Sequence, residues 1–200
     1  MNTPDILRIV KEDILRILGE GEGNSVSLIS LKSEIKVSEP FLRKAVEGLE
    51  KECLIQSKEE LIVLTKTGQE DAKEIVRNHV FIENYFKETR SEAEAHKAAH
   101  ILEHYISQEV IDNIKKLATF KKEGIPVTKF DLNEEGIITN ITFSNFTLFE
   151  RIISMGIFPG EKIRITNIIP GSVIVGIGSK KFALGGEIAK GIEALGSEED

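Results

Sequence analysis

From Asp5 to Leu18 apolar residues recur with a helical period. Ile6, Ile9 or Val10, Asp13 or Ile14, and Ile17 follow it, and Thr3-Pro4-Asp5 supplies a capping start. Gly19, Gly21 and Gly23 close that helix in a loop. Ser27 to Glu34 predicts a second, short helix, and a turn follows at Ile35-Lys36-Val37. Ser38 caps a third helix to about Glu52, with Pro40 in its first turn and Leu42, Val46 and Leu49 facing inward. Leu54-Ile55 and Leu61 to Leu64, around the charged stretch Gln56 to Glu60, predict a hairpin. Helix, helix, turn, helix, hairpin is the order of a winged helix-turn-helix.

Thr65 opens a long helix to about Phe86, with a brief interruption at Thr67-Gly68. Ser91 and Ser107 cap two more, ending near Tyr105 and Leu117. Val76, Val80, Ile82, Tyr85, Ile101, Leu102 and Val110 are more apolar surface than three separate helices bury. Packing against the first helix and a second subunit is expected. Residues 118–128 read as a linker. Beyond 129 the texture changes to β-branched runs between glycines. Strands are expected at Gly136–Ile141, Lys162–Ile169, Ser172–Ile177 and Lys180–Ala183, with a helix at Leu148–Met155. Short strands at this density suggest a small closed barrel. Gly196–Asp200 is acidic and expected to fray. The fold class is therefore α+β.

The 200 residues hold 26 basic and 33 acidic side chains, a net charge of −7. No segment is basic: residues 1–78 carry 12 basic and 15 acidic groups, 79–124 carry 7 and 8, and 125–200 carry 7 and 10. Nucleic acid could be met only through a local patch or with bound cations. The single cysteine, Cys53, excludes an internal disulfide, suits a reducing cytoplasm and is expected in the core. No apolar run is long enough for a membrane span.

All four histidines lie between positions 79 and 104. His96, His100 and His104 stand at i, i+4 and i+8, within about 80° of one helix face, and Glu103 falls in the same stripe. His79 and Glu83 repeat the i, i+4 spacing on the preceding helix. Residues at that spacing can share one ion, and imidazole beside carboxylate favours divalent transition metals. The opposite face, Ala95, Ala98 and Leu102, is apolar, so the stripe is not expected to be a core surface. There is no His-Glu-x-x-His, nucleophile elbow, phosphate loop or dinucleotide fingerprint, so an enzyme is not expected. In the winged module, Ser38, Pro40, Arg43 and Lys44 stand at the start of the recognition helix and Lys58 at the wing tip, where DNA would be met.

With these residues in place, the chain resembles, over about residues 5–195, the diphtheria-toxin-repressor family of iron- and manganese-dependent transcriptional regulators. The stretch Arg151 to Thr166 looks like the signature of the small ferrous-iron-transport protein A. The resemblance implies a winged helix-turn-helix over 1–65, a helical dimerisation and metal-binding domain over 66–120, a linker over 121–128 and an SH3-like domain over 129–195. It places metal ligands at Asp13, His79, Glu83, His96, His100, Glu103 and His104. It implies Fe2+ or Mn2+ as cofactor, with Zn2+ or Co2+ also bound in vitro. The partners implied are an operator DNA duplex and a second copy of the chain, with no membrane and no small organic ligand. The chain departs from the pattern at His100, where cysteine or glutamate is usual, and at Asn140–Phe143, which lacks the expected acidic ligand. The alternatives are a metal-independent winged-helix regulator whose barrel binds a protein, and a metalloenzyme with an open coordination position.

Overall fold

The computed structural model describes residues 5–58, 61–120, 124–143 and 145–196. The chain divides into two compact units, 2–104 and 105–200.

The first unit opens with α1 (Ile6–Glu20), whose first turn is capped by the Asp5 carboxylate accepting from the Leu7 N–H at 3.1 Å. Then come β1 (Ser25–Ser27), α2 (Leu28–Glu34), α3 (Glu39–Lys51), β2 (Ile55–Lys58), β3 (Leu61–Leu64), α4 (Lys66–Lys87) and α5 (Glu92–Leu102). The strands form an antiparallel sheet of order β1-β3-β2. Val10, Ile14 and Leu18 of α1 share one core with Leu31 of α2, Leu42 and Leu49 of α3, and Leu64 of β3. Ile6, expected on the inner face, is instead 63% exposed, because the chain enters the helix at the rim of that core.

Three local features differ from the sequence expectation, the first two for a steric or hydrogen-bonding reason. Cys53 is exposed rather than in the core. It ends α3 in the left-handed region, φ +59°, with its N–H donating to the Glu50 carbonyl and the Leu54 N–H to the Leu49 carbonyl. This is a Schellman cap, and it turns the thiol outward. The interruption at Thr67-Gly68 does not occur, since α4 is continuous from Lys66. Gly68 is buried in the helix because a Cβ there would collide with the Leu54 carbonyl. Thr65 caps the same turn, accepting from the Gly68 N–H at 3.0 Å and donating to the Cys53 carbonyl at 2.7 Å. Finally, α5 stops at Leu102, three residues early. Its start is the Ser91/Glu94 capping box.

The second unit comprises α6 (Gln108–Phe120), β4 (Ile125–Pro126), β5 (Glu135–Ile141), α7 (Phe146–Ser154), β6 (Lys162–Ile169), β7 (Ser172–Ile177), β8 (Lys180–Gly185), α8 (Gly186–Lys190) and β9 (Ile192–Gly196). The strands form one antiparallel sheet of order β4-β9-β5-β6-β7-β8. Phe149, Ile153 and Phe158 are buried together with Ile165 of β6 and Val175 of β7. The Asn113 side chain of α6 donates to the Gly160 carbonyl at 2.9 Å. Gly160, at φ +85°, has no room for a Cβ against Val110 and Ile114. The stretch expected as one helical domain thus contributes α4 and α5 to the first unit and α6 to the second. Of the expected linker, residues 121–123 lie outside the described residues and Ile125–Pro126 form β4. Residues 197–200 of the expected frayed tail also lie outside them, while Gly196 pairs with Gly136. Among the described residues no helix is long and apolar enough to cross a membrane.

Candidate metal centre

Three helices of the first unit bring the titratable groups together. The N-terminal helix α1 contributes Glu12, Asp13, Arg16 and Glu20, α4 contributes His79 and Glu83, and α5 with the turn after it contributes His96, His100, Glu103 and His104. These groups form one connected network. His79 Nδ1 lies 2.7 Å from Glu103 Oε2, and His96 Nδ1 lies 2.7 Å from Glu83 Oε2. His100 faces both ways, with Nε2 at 3.1 Å from His96 Nε2 and Nδ1 at 3.2 Å from Glu103 Oε1. His104 Nδ1 is 3.0 Å from Glu12 Oε2, and its Nε2 is 3.5 Å from Asp13 Oδ1.

Two triads in this network present donor atoms that all lie within 4.8 Å of one another, His79–His96–His100 and Asp13–His100–Glu103. The first is all imidazole and the second is two carboxylates and an imidazole, so both match divalent transition-metal chemistry. His79 supplies a second sign of fit. Its Nε2 is buried without a hydrogen bond, 3.3 Å from a Glu83 oxygen. A buried polar atom left in that state is costly unless something else engages it.

Every residue expected as a ligand is in this network, with Glu83 and His104 adjoining the triads. The stripe is not uniformly solvent-facing. His96 is exposed, whereas His79 is 2% and His104 8% exposed. His104 follows the end of α5 at Leu102, and its ring meets Glu12 of α1. Glu12, Arg16 and Glu20 were not singled out in the sequence. Arg16 had a readable signal, a charge one residue before Ile17 on a helix otherwise rich in core positions. Its partner Glu103 lies too far along the chain for any local pattern to show it.

The electrostatics favour ionised carboxylates. Burial pushes Glu103 upward, but hydrogen bonds from His100 and His79 outweigh it and hold the carboxyl at about 2. Glu83 is likewise held at about 2, with Lys87 and His96 overcoming burial. Burial lowers His104, yet the Asp13 and Glu12 carboxylates and the Glu103 charge hold its imidazole up at about 9. His79 is raised as well, its burial being outweighed by Glu103.

The residues expected at DNA sit elsewhere in the same unit. Ser38 is the N-cap position of α3, without a side-chain capping bond, and Pro40 is in its first turn. Arg43, Lys44 and Lys58 are exposed, and Lys58 ends β2 beside residues 59–60, which lie outside the described set. Arg43 is not free, since it pairs with Glu39 at 2.8 Å, and Lys32 pairs with the other Glu39 oxygen at 2.7 Å. Those two hydrogen bonds hold Glu39 at about 2.

Residues 65–124 match the family model for the iron dependent repressor, metal binding and dimerisation domain, and residues 125–194 match the FeoA domain. A manganese-dependent transcriptional repressor in complex with manganese is 20% identical, over 94% of this chain and 100% of its own, with a TM-score of 0.48. The IdeR of T. acidophilum is 15% identical, over 98% and 100% of the two chains, with a TM-score of 0.46. An iron uptake regulatory protein (FeoA) is 26% identical over 36% of this chain and 96% of its own, with a TM-score of 0.33. No curated protein matches the chain.

Proposed function

We propose, from the match of residues 65–124 to the iron dependent repressor metal binding and dimerisation domain and of residues 125–194 to the FeoA domain, that the chain is a divalent-metal-dependent, DNA-binding transcriptional repressor of iron or manganese homeostasis. It acts as a homodimer with Fe2+ or Mn2+ bound, and it is a regulator rather than an enzyme. Residues 1–65 are the DNA-binding module, 66–120 the metal-binding and dimerisation segment, and 129–195 an SH3-like module for protein contacts. The order α1, α2, turn, α3 and the β2–β3 hairpin supports a winged helix-turn-helix with α3 as recognition helix.

The observation that carries this reading is the unbroken contact from Glu12 and Asp13 on α1, through His104 and Glu103, to His79 and His100. The same α1 packs Val10, Ile14 and Leu18 into the core that holds Leu42 and Leu49 of α3. Whatever fixes α1 against α4 and α5 therefore also fixes the recognition helix. Asp13, His79, Glu83, His96, His100, Glu103 and His104 are the residues that would hold the metal, which when bound supplies a coordination link among the three helices. Ser38, Pro40, Arg43, Lys44 and Lys58 meet the duplex, and Arg43 exchanges Glu39 for a phosphate or a base edge on binding.

The test is DNA binding to the protein's own upstream region by fluorescence anisotropy at fixed salt, with chelator and then with Fe2+ (anaerobically), Mn2+ or Zn2+. Metal should tighten binding by about tenfold or more, a coupling of the usual allosteric size. His100→Ala and Glu103→Ala should abolish the gain. Equal binding with and without metal would favour a metal-independent regulator.

A further inference from the structure

Arg16 stands beside the Asp13–His100–Glu103 triad. Its residue is 8% exposed, on a helix whose neighbours Ile14, Leu15, Ile17 and Leu18 are all core. Its Nη2 lies 3.9 Å from Asp13 Oδ1 and its Nε lies 3.7 Å from Glu103 Oε1, while Nη1 donates to Glu20 Oε2 at 2.9 Å. The Nε is buried with no hydrogen-bond partner, so it is held near Glu103 without a bond that would justify its burial. A guanidinium does not lose its proton in proteins, so this is a fixed positive charge beside two of the three donors of one triad. The imidazole triad has a different neighbourhood, in which His79 and His96 are each contacted by a carboxylate.

We propose that Arg16 is a built-in competitor for the Asp13–His100–Glu103 triad, standing in for the metal in the free protein and raising the divalent-ion concentration at which that triad fills. The inference rests on the reading of this cluster as a divalent-metal centre. Two positive charges in one partly buried site repel, and the carboxylates cannot fully serve both. Glu20 supplies the way out. Its side chain is 39% exposed and already holds Nη1, so the guanidinium has an anchor toward solvent when an ion takes Asp13 and Glu103. Arg16 is thus a positioning residue that sets the response threshold. It is not a ligand.

The experiment is Mn2+ titration of the full chain by calorimetry, with thermal melting of the chelated protein in parallel. Arg16→Gln removes the charge and should tighten Mn2+ binding by about tenfold while lowering the melting temperature of the metal-free protein. Arg16→Lys keeps the charge and should stay near wild type. Glu20→Gln removes the outward anchor and should weaken Mn2+ binding several-fold, the opposite sign. If Arg16→Gln is folded by circular dichroism and binds Mn2+ no more tightly than wild type, the inference falls and the metal-centre reading stands. If Arg16→Gln does not fold, Glu20→Gln decides, and unchanged or tighter binding there overturns the inference. A wild-type protein that binds none of Mn2+, Fe2+, Co2+ or Zn2+ overturns the metal-centre reading and the inference with it.

Discussion

Among the described residues the first unit encloses Arg16, His79 and His104, whereas the second encloses one polar side chain, Thr139, in an otherwise apolar interior. The contrast is physical. Apolar burial is favourable without conditions, at roughly 25 cal/mol per Å2. A buried charge is tolerated only with partners, and well-packed apolar residues in its place often give a more stable protein. Imidazoles, carboxylates and a guanidinium are gathered in one unit, while the other is built from Phe149, Phe158 and isoleucines, so the two units should respond differently when a partner is removed.

Four measurements would break or sharpen that contrast. The largest effect is expected in the apolar unit. Phe158→Ala should cost the second unit about 4 kcal/mol in denaturant unfolding, from lost transfer energy plus a cavity, with metal affinity unchanged. A loss of metal binding there would refute the separation of roles. Next, Glu103→Ala should destabilise the first unit by about 3 kcal/mol, because it strips Arg16 and His79 of a buried partner, and it should abolish metal-dependent DNA binding. A neutral result in melting would mean that the buried network contributes little.

The third measurement is pH dependence with chelator present. The folded pKa of His104 is raised from 6.5 to about 9, so its stabilisation is complete below 6.5 and is lost as pH rises through 9. The first unit should lose about 3 kcal/mol across that window, while the second, which holds no histidine, should change less. Metal affinity should run the other way and rise with pH, because ligation requires neutral imidazole. On the acid side Glu83 and Glu103, both held at about 2, stabilise above 4.5 and lose that contribution as pH falls toward 2. The smallest effect compares matched caps. Ser27 accepts from the Ser30 N–H and Asn145 from the Leu148 N–H, both at 3.1 Å. Either residue changed to Ala should cost about 1 kcal/mol, each in its own unit's transition.

The local part of this architecture was readable. Ser38 with Pro40 marked the start of α3, and the β-branched runs between glycines gave β6, β7 and β8 to within two residues. Histidine spacing alone pointed to the cluster. Periodicity carries no information about partners far along the chain, and what was missed lies there. β9 pairs with both β4 and β5, but its Ile192–Gly196 run is too short and too glycine-flanked to stand out. β1 is three residues long behind a glycine loop. Arg16 and Glu12 meet Glu103 and His104 across most of the first unit, and only the fold shows it. The continuity of α4 through Gly68 was hidden for a related reason, since the glycine serves a contact with Leu54 rather than a break.

The strand order of the second sheet has a consequence for synthesis. β9 is formed last in the chain, yet it lies between β4 and β5. β4 and β5 cannot be joined in the sheet until residues 192–196 have left the ribosome. The first unit, complete at residue 104, can fold while the rest is still being translated. The nascent protein would therefore hold a finished cluster of imidazoles and carboxylates before its second half has any structure. Pairing of β9 with β4 joins residues far apart in the chain, so it should form later than the local helices of the first unit.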